Sequence, residues 1–205
     1  MTAIKICGVT QVDQAAAISP LVDYLGLNLW PRSRRYVTVE HATSLAAAAR
    51  RGGAAQLVGL FVDATRAEIE ATMLAVRFDV IQLHGSETAA EAHAIAALGV
   101  PIWKALAATP GMAITGWPAA VLLDTPSIDH GGTGRTFDWS IAAAARTASP
   151  EIPVILAGGL DPGNVAAAIA AAAPWAVDTA SGVESAPGVK DLDKVRAFVA
   201  AVSRR

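Results

Sequence analysis

Residues 154–178 read VILAGGLDPGNVAAAIAAAAPWAVD and contain the structural unit on which the whole chain is built. A short aliphatic run at Val154–Ala157 predicts a β-strand, and two glycines follow it. The alanine-rich segment after them predicts a helix, which we expect to begin at Asp161-Pro162 because proline is favoured in the first turn. A second apolar run, Ala176–Asp178, predicts the next strand. A strand, a helix and a strand in this order indicate parallel strands joined by a right-handed crossover.

The same alternation of short β-type runs and alanine-rich helical segments continues along the whole chain. We predict strands at Ala3–Cys7, Tyr24–Asn28, Leu57–Val62, Val80–His84, Ile102–Leu106, Ala120–Asp124, Val154–Ala157 and Ala176–Asp178. Helices are predicted at Val12–Ile18, Val39–Arg51, Arg66–Arg77, Thr88–Leu98, Trp139–Thr147, Pro162–Ala172 and Leu192–Val202. The turn after the first strand lacks the Gly-x-Gly-x-x-Gly pattern of an open dinucleotide-binding sheet. We therefore predict an α/β fold of the (β/α)8 TIM-barrel type, formed by residues 1–205 as a single domain.

One unit of the predicted barrel leaves little room for a helix. The segment between Leu106 and Ala120 contains two prolines and two glycines. Proline removes a backbone donor and glycine lowers helix stability. The helix after the fifth strand is therefore predicted to be reduced or missing.

Composition narrows the possible classes of function. The 205 residues are 53% hydrophobic and carry a formal net charge of −2, so nothing indicates a nucleic-acid partner. A single cysteine excludes an intrachain disulfide and a cysteine-based metal cluster. The amino terminus shows no signal-peptide pattern, and the longest apolar stretch, Val165 to Val177, is shorter than a membrane span and contains Pro174. We expect a cytoplasmic protein with no membrane partner, either a monomer or a homodimer.

Polar side chains stand at the ends of the predicted strands, although the strands themselves are apolar. In a (β/α)8 barrel the active site lies at the carboxyl ends of the strands. Six polar candidates occupy these ends: Cys7, Asn28, Asp63, His84, Asp124 and Asp178. Because side chains alternate along a strand, Lys5 shares a face with Cys7 and could favour its thiolate.

Two glycine-containing turns follow the last two strands. Gly158 and Gly159 come after the seventh strand, and Ser181 and Gly182 come after the eighth. Glycine lets backbone N–H groups approach an anion closely, and phosphate sites in barrels are often built from these two loops. The sequence therefore predicts a phosphate-binding site there, rather than tight turns alone. A further glycine-rich segment, residues 128–136, predicts either a disordered loop or a mobile lid over the site.

A series of short motifs, taken in order, resembles those of the phosphoribosylanthranilate isomerases of tryptophan biosynthesis. The motifs extend over nearly the whole chain and are Lys5–Gly8, Arg32–Val37, Gln82–Gly85, Leu122–Asp124, Gly131–Trp139, Leu156–Leu160, and Asp178 with Ser181–Glu184. The predicted loss of the helix after the fifth strand is a further resemblance to this family. Each motif is weakly specific by itself, whereas the collinear set is highly specific.

The resemblance implies a reaction and a set of residue roles. The family converts N-(5-phosphoribosyl)anthranilate into 1-(2-carboxyphenylamino)-1-deoxyribulose 5-phosphate by an Amadori rearrangement, without a metal ion or a cofactor. By motif, Cys7 resembles the general base, Asp124 the general acid, and Arg35 the residue that pairs with the anthranilate carboxylate. The phosphate of this small-molecule substrate would be held by the backbone of Gly158, Gly159, Ser181 and Gly182.

Several assignments stay open at this point. Arg34 is as close a physical candidate for the carboxylate as Arg35, which the motif alone favours. Gln82 and Asp178 would either orient the substrate or fill the barrel mouth with polar contacts. His84 is interpreted as a supporting or packing residue rather than a catalytic one.

Two other functions are compatible with the pattern. One is a phosphosugar isomerase of the histidine-pathway type, which performs the same rearrangement on a larger substrate and typically uses a pair of aspartates. Cys7 at the first base position argues against it. The other is a non-catalytic module that binds a phosphorylated ligand, and the presence of both Cys7 and Asp124 argues against that.

Overall fold

The computed structural model describes residues 1–126 and 136–203. Eight parallel strands follow one another in chain order and close into a barrel, because β8 pairs back onto β1. The strands are β1 (Ala3–Cys7), β2 (Tyr24–Asn28), β3 (Gln56–Phe61), β4 (Val80–Leu83), β5 (Ile102–Ala107), β6 (Ala120–Asp124), β7 (Val154–Leu156) and β8 (Ala176–Thr179). This closed barrel confirms the predicted (β/α)8 fold. The segment predicted to be a disordered loop or a lid falls mainly on residues 127–135, outside the described residues.

The α-helices of the described residues alternate with the strands. They are α1 (Val12–Ile18), α2 (Val39–Gly52), α3 (Arg66–Ala75), α4 (Ala89–Ala96), α5 (Ser140–Ala148), α6 (Val165–Ala172) and α7 (Leu192–Ser203). Capping boxes fix the starts of α3 and α4, where Thr65 and Thr88 exchange hydrogen bonds with Glu68 and Glu91. None of these helices is both long and apolar enough to cross a membrane.

Two short elements after β8 were not predicted from the sequence. A 3-10 turn spans Ser181–Val183, and a small antiparallel hairpin follows it, formed by β9 (Glu184–Ala186) and β10 (Val189–Lys190). Strands of three and two residues are too short to produce a recognisable period-2 pattern. The hairpin places Glu184 and Lys190 beside each other, and both become important at the site.

The predicted start of α6 is wrong. The helix begins at Val165, with Asn164 before it, rather than at Asp161-Pro162. The carboxylate of Asp161 accepts hydrogen bonds from the backbone N–H groups of Gly163 at 2.7 Å and Asn164 at 3.0 Å. The Asn164 side chain in turn accepts from the Asp161 N–H at 2.9 Å. The side chains of Asp161 and Asn164 thus close a turn. Aspartate and asparagine commonly favour such side-chain hydrogen bonds over those of a helix.

Alternation along the strands separates two apolar layers. Leu123 belongs to the layer that packs against the helices, whereas Trp103 and Leu122 belong to the layer that fills the barrel. At the carboxyl ends of the strands polar groups replace these apolar ones, with Cys7 ending β1 and Asp124 ending β6. The barrel is therefore a filled core with a polar mouth at one end.

The outer face of β5 shows how the barrel is completed without a helix in this unit. The segment between β5 and β6 contains no helix, as predicted. Lys104 shares an outward face with Ile102, and its Nζ lies 5.9 Å from the ring centre of Trp117. The ammonium group donates to the carbonyl of Gly85 at 2.6 Å and to Oε2 of Glu87 at 2.7 Å. A buried ion pair therefore lies on a face that a helix would otherwise cover.

Glu87 ties this ion pair to two neighbouring loops. Its Oε1 accepts the N–H of Asp63 at 2.8 Å, and its Oε2 accepts the N–H of Gly85 at 2.9 Å. The side chains of Lys104 and Glu87 are 2% and 5% exposed. The pair is thus fully enclosed and anchors the loops that follow β3 and β4.

Candidate active site

A cavity of about 1120 Å³ opens at the carboxyl ends of the strands. All six strand-end candidates predicted from the sequence line it, namely Cys7, Asn28, Asp63, His84, Asp124 and Asp178. The strands β1 and β6 stand three places apart around the eight-stranded ring, so Cys7 and Asp124 approach the cavity from different sides. This arrangement follows from the barrel geometry, which gathers the ends of all parallel strands at one mouth.

A buried ion pair lies directly below Cys7. Lys5 Nζ donates to Asp178 Oδ1 at 2.9 Å, and the two residues are partners in the β1–β8 register. Gly26 on β2 leaves room for them, since a Cβ there would lie 2.9 Å from Cys7 Sγ and 3.3 Å from Lys5 Cε. Burial lowers the pKa of Lys5, but the net shift is upward, and the charge of Asp178 is the largest of the effects that raise it. Lys5 therefore stays a cation beside the thiol.

The expectation that Lys5 would favour the thiolate of Cys7 is only partly met. Burial raises the pKa of Cys7 and is the largest effect on it. The charge of Lys5 and its hydrogen bond lower that pKa, but they do not compensate for the burial. The sequence shows the attraction between the two side chains but not the desolvation cost of the thiolate. In the free protein Cys7 is therefore a thiol at neutral pH.

Asp124 uses its two oxygens for different contacts. Oδ1 accepts the N–H of Thr125 at 2.7 Å, so the carboxylate caps the turn that follows β6. Oδ2 lies 3.5 Å from Nε2 of His84. The other ring nitrogen of His84, Nδ1, lies 3.0 Å from Nε2 of Gln82. When that amide donates, a neutral imidazole carries its proton on Nε2 and presents it to Asp124.

The Gln82–His84–Asp124 arrangement favours the supporting role over the packing role, the two roles that the sequence left open for His84. His84 lines the cavity and lies within ion-pair distance of the candidate acid. Gln82 is fully buried, and its Oε1 has no hydrogen-bond partner among the described residues. The period-2 spacing of residues 82 and 84 put them on one face, but the contact with Asp124 depends on the closure of the barrel.

Arg35 is held by the carboxylate of Glu184, a residue for which the sequence predicted no role. Its Nε donates to Glu184 Oε1 and its Nη2 to Oε2, both at 2.7 Å. Lys190 Nζ donates to the same Oε1 at 2.7 Å and to the carbonyl of Ala180 at 3.0 Å. Burial raises the pKa of Glu184, but the hydrogen bond from Arg35 and the charge of Lys190 outweigh it and leave that pKa lowered. Glu184 is therefore an anion between two cations.

The structure distinguishes Arg35 from the neighbouring arginines. Arg32, Arg34 and Arg35 all line the cavity, but Arg32 and Arg34 are exposed at its rim. Among contacts between described residues, Arg35 alone of the three has its guanidinium fixed by a bidentate pair. Which arginine binds a ligand carboxylate stays a prediction, and the geometry favours Arg35.

The two glycine-containing turns pack against each other. Gly158 and Gly159 both have positive φ angles, +78° and +60°, which favour glycine. A Cβ on Gly182 would lie 2.0 Å from the carbonyl oxygen of Leu160, and one on Gly158 would lie 3.0 Å from Asp124 Oδ1. Ser181 lines the cavity, whereas the three glycines are not among its lining residues. Phosphate binding by these turns stays a prediction.

A closed barrel with a thiol, carboxylates and a histidine around one cavity at its catalytic end defines an enzyme of the (β/α)8 class. Residues 4–201 match the model of the family described as N-(5'-phosphoribosyl)anthranilate (PRA) isomerase. The chain belongs to this family, which confirms the resemblance stated from the motifs.

Individual relatives agree with the family match over the whole chain. The N-(5'-phosphoribosyl)anthranilate isomerase of Pseudomonas fluorescens (strain Pf0-1) is 44% identical over 207 residues, covering 97% of either chain. The crystal structure of phosphoribosyl anthranilate isomerase from Thermus thermophilus is 34% identical with a TM-score of 0.88, covering 99% of this chain and 98% of that one. A crystal structure of the isomerase in complex with reduced 1-(o-carboxyphenylamino)-1-deoxyribulose 5-phosphate is 28% identical with a TM-score of 0.79, covering 97% of both chains.

Proposed function

We propose that this chain, as one catalytic domain, converts N-(5'-phosphoribosyl)anthranilate into 1-(2-carboxyphenylamino)-1-deoxyribulose 5-phosphate in tryptophan biosynthesis. The observation that carries the proposal is the arrangement of Cys7 and Asp124 on different sides of one cavity in a chain of this family. A homologous structure holds the reduced form of the product, which supports a small phosphorylated ligand for this cavity.

The substrate would be held at its two charged ends. The turns at Gly158–Gly159 and Ser181–Gly182 would bind the phosphate through backbone N–H groups. Arg35 would bind the carboxylate of the anthranilate ring with two parallel hydrogen bonds. The ribose then lies between Cys7 and Asp124, so binding energy is used to orient the reacting carbon atoms.

Asp124 is the proposed general acid for opening the ribose ring. It would donate its proton to the furanose ring oxygen, the bond between C1 and that oxygen would break, and the nitrogen lone pair would form an iminium ion. His84, with its Nε2 proton directed at Oδ2, would stabilise the carboxylate that remains. The other oxygen, Oδ1, stays bound to the Thr125 N–H throughout.

Cys7 is the proposed general base for the second half of the reaction. The iminium ion acidifies the proton on C2, and the Cys7 thiolate would remove it to give an enolamine. Return of a proton to C1 and loss of the proton on the C2 hydroxyl yield the ketone, so the atoms balance as an isomerisation. Because burial raises the pKa of Cys7, the thiolate is the minor form of the free protein at neutral pH. The charge of Lys5 is the largest effect that stabilises this thiolate.

Turnover of the substrate itself tests the proposal. Purified protein is mixed with N-(5'-phosphoribosyl)anthranilate, and the loss of anthranilate-type fluorescence is followed with time. Catalysed loss supports the isomerase. A protein that binds the substrate without converting it would instead be the non-catalytic module, and turnover restricted to a histidine-pathway aminosugar phosphate would support the other isomerase.

A further inference from the structure

The cluster of Arg35, Glu184 and Lys190 joins three distant parts of the chain beside the cavity. Arg35 follows β2, Glu184 begins β9, and Lys190 ends β10. Their side chains are 16%, 5% and 0% exposed, and every ion-pair distance in the cluster is 2.7 Å. A buried carboxylate held by two cations does not reorient freely, because each rotation would leave a charge unpaired. The guanidinium of Arg35 is therefore fixed in one orientation.

Glu184 binds one edge of the Arg35 guanidinium and leaves its other edge open to a ligand. The carboxylate accepts from Nε and Nη2, which together form the side edge of the group. Guanidinium has five N–H donors, so Nη1 and the second hydrogen of Nη2 have no protein partner among the described residues. These donors form the end edge, which matches a second carboxylate in a bidentate pair. Arg35 lines the cavity where such a ligand would enter.

Lys190 preserves the attraction of the cluster for an anion. Arg35 and Glu184 alone would be neutral, and a neutral pair attracts a ligand carboxylate weakly. Burial lowers the pKa of Lys190, and the charge and hydrogen bond of Glu184 oppose that shift. With Lys190 protonated, the three residues carry a net charge of +1, which one ligand carboxylate neutralises. Lys190 Nζ is committed to Glu184 and to the carbonyl of Ala180, so Arg35 is the member with donors to spare.

The position of Glu184 couples the two ends of the proposed binding site. It follows the Ser181–Val183 turn directly, so the segment that carries the proposed phosphate amides also carries the carboxylate that holds Arg35. The stem of Arg35 crosses Gly8, where a Cβ would lie 2.3 Å from Cδ, and Gly8 follows Cys7. The segment that would bind the phosphate therefore contacts Arg35, and Arg35 contacts the residue that follows the candidate base.

We propose that Glu184 is the positioning residue that directs the free edge of Arg35 at the carboxylate of the substrate's aromatic ring, with Lys190 as its counter-ion. The inference rests on the proposed function and deepens it. Glu184 does not touch the reacting atoms; it acts through Arg35.

Equilibrium binding of two ligands to a Glu184→Gln variant tests this role. One ligand is reduced 1-(o-carboxyphenylamino)-1-deoxyribulose 5-phosphate, and the other is the same molecule without the carboxyl group. The variant is expected to bind the carboxylated ligand at least about tenfold more weakly, the scale of a lost charge-assisted hydrogen-bond pair. The carboxyl-free ligand should bind equally well, and KM for the substrate should rise more than kcat falls.

The opposite result has a clear meaning. Replacing Glu184 by glutamine raises the net charge of the cluster from +1 to +2, so a residue that only weakened Arg35 by its charge would, when removed, tighten carboxylate binding. Tighter or unchanged binding of the carboxylated ligand therefore overturns the proposal. Asp193→Asn is the matched control, because it removes a carboxylate from an exposed pair with Arg196 at 2.8 Å and should leave both affinities unchanged.

A second variant covers the case in which Glu184→Gln does not fold. Glu184→Asp keeps the charge but shortens the side chain by one methylene, so Arg35 is held in a shifted position. It should bind the carboxylated ligand more weakly than the wild type does and the carboxyl-free ligand equally well. The same preference for the carboxylated ligand as in the wild type would also overturn the proposal. Absence of wild-type turnover would count against the proposed function, whereas wild-type turnover with an unchanged preference in both variants would remove only Glu184 from its role.

Discussion

Replacing Lys104 by methionine should destabilise the protein while leaving its chemistry in place. Lys104 Nζ bonds to the Gly85 carbonyl and to Glu87, and neither member of the ion pair is more than 5% exposed. Methionine keeps a similar volume beside Trp117 but leaves the Glu87 carboxylate buried without its cation. Lys104 is not among the residues that line the cavity.

The structure sets the size of the expected loss. Breaking a buried ion pair by removing one partner costs about 3–5 kcal/mol. Glu87 keeps its two backbone donors, from Asp63 and Gly85, so we expect the lower end of that range, about 3 kcal/mol. For a chain of this size each kcal/mol lowers Tm by about 2–4 °C, which gives a decrease of about 6–12 °C.

Urea unfolding and thermal unfolding, both followed by circular dichroism, measure this loss directly. Arg196→Met is the matched control, since it removes a cation from a pair whose side chains are 60% and 93% exposed. Its Tm should stay close to that of the wild type because exposed pairs contribute little. A Lys104→Met variant within about 1 kcal/mol of the wild type would refute the reasoning, as would loss of turnover well below its Tm.

Three further predictions address the site. Cys7→Ser should lower kcat by at least about 100-fold, the usual contribution of a general base, while the reduced product analogue still binds; an equally active serine variant would exclude Cys7 as the base. Gly158→Ala places a Cβ at φ +78° and 2.3 Å from Thr125 Oγ1, so KM should rise and the free energy of unfolding in urea should fall. Gly111→Ala is the control, because its φ is +75° but its Cβ would meet nothing within 4 Å, and its free energy of unfolding should fall less. Iodoacetamide should alkylate the single cysteine slowly at pH 7 and faster as pH rises past about 8.5, the usual thiol pKa, because burial raises the pKa of Cys7. The folded protein therefore holds the Cys7 proton more tightly than the unfolded chain does. Its stability should fall as pH rises from about 8.5 through the raised pKa. Rapid alkylation at pH 7 would contradict the assigned direction.

The fold and the strand-end candidates could be predicted because both depend on local pattern. Short continuous apolar runs locate the strands, and barrel geometry then brings residues such as Cys7 and Asp124 to one cavity without any knowledge of contacts. The prolines and glycines after β5 likewise predict that no full helix forms between β5 and β6. Prediction failed at Asp161, where side-chain hydrogen bonds compete with the helix that proline would otherwise start.

The contacts that hold the candidate site could not be predicted because they join distant residues. Arg35 and Glu184 are 149 positions apart, and no periodicity relates them. Glu184 did stand in a motif that resembled the family, but nothing in the residue type indicated its partner. The environment of Cys7 involved a different difficulty, since the sequence shows the charge of Lys5 but not the depth of burial that outweighs it.

The hydrogen bond between Lys5 and Asp178 crosses the seam where the first strand meets the last, and the two residues are 173 positions apart. During synthesis the amino-terminal strand leaves the ribosome long before its partner exists, so a nascent chain holds an unpaired lysine until about seven-eighths of the protein has been made. The cation beside Cys7 acquires its counter-ion at the moment of barrel closure, and a chain cut short before β8 never forms that pair. Formation of the pair therefore marks the closure of the ring, and a pulse-labelled truncation series could measure the chain length at which it forms.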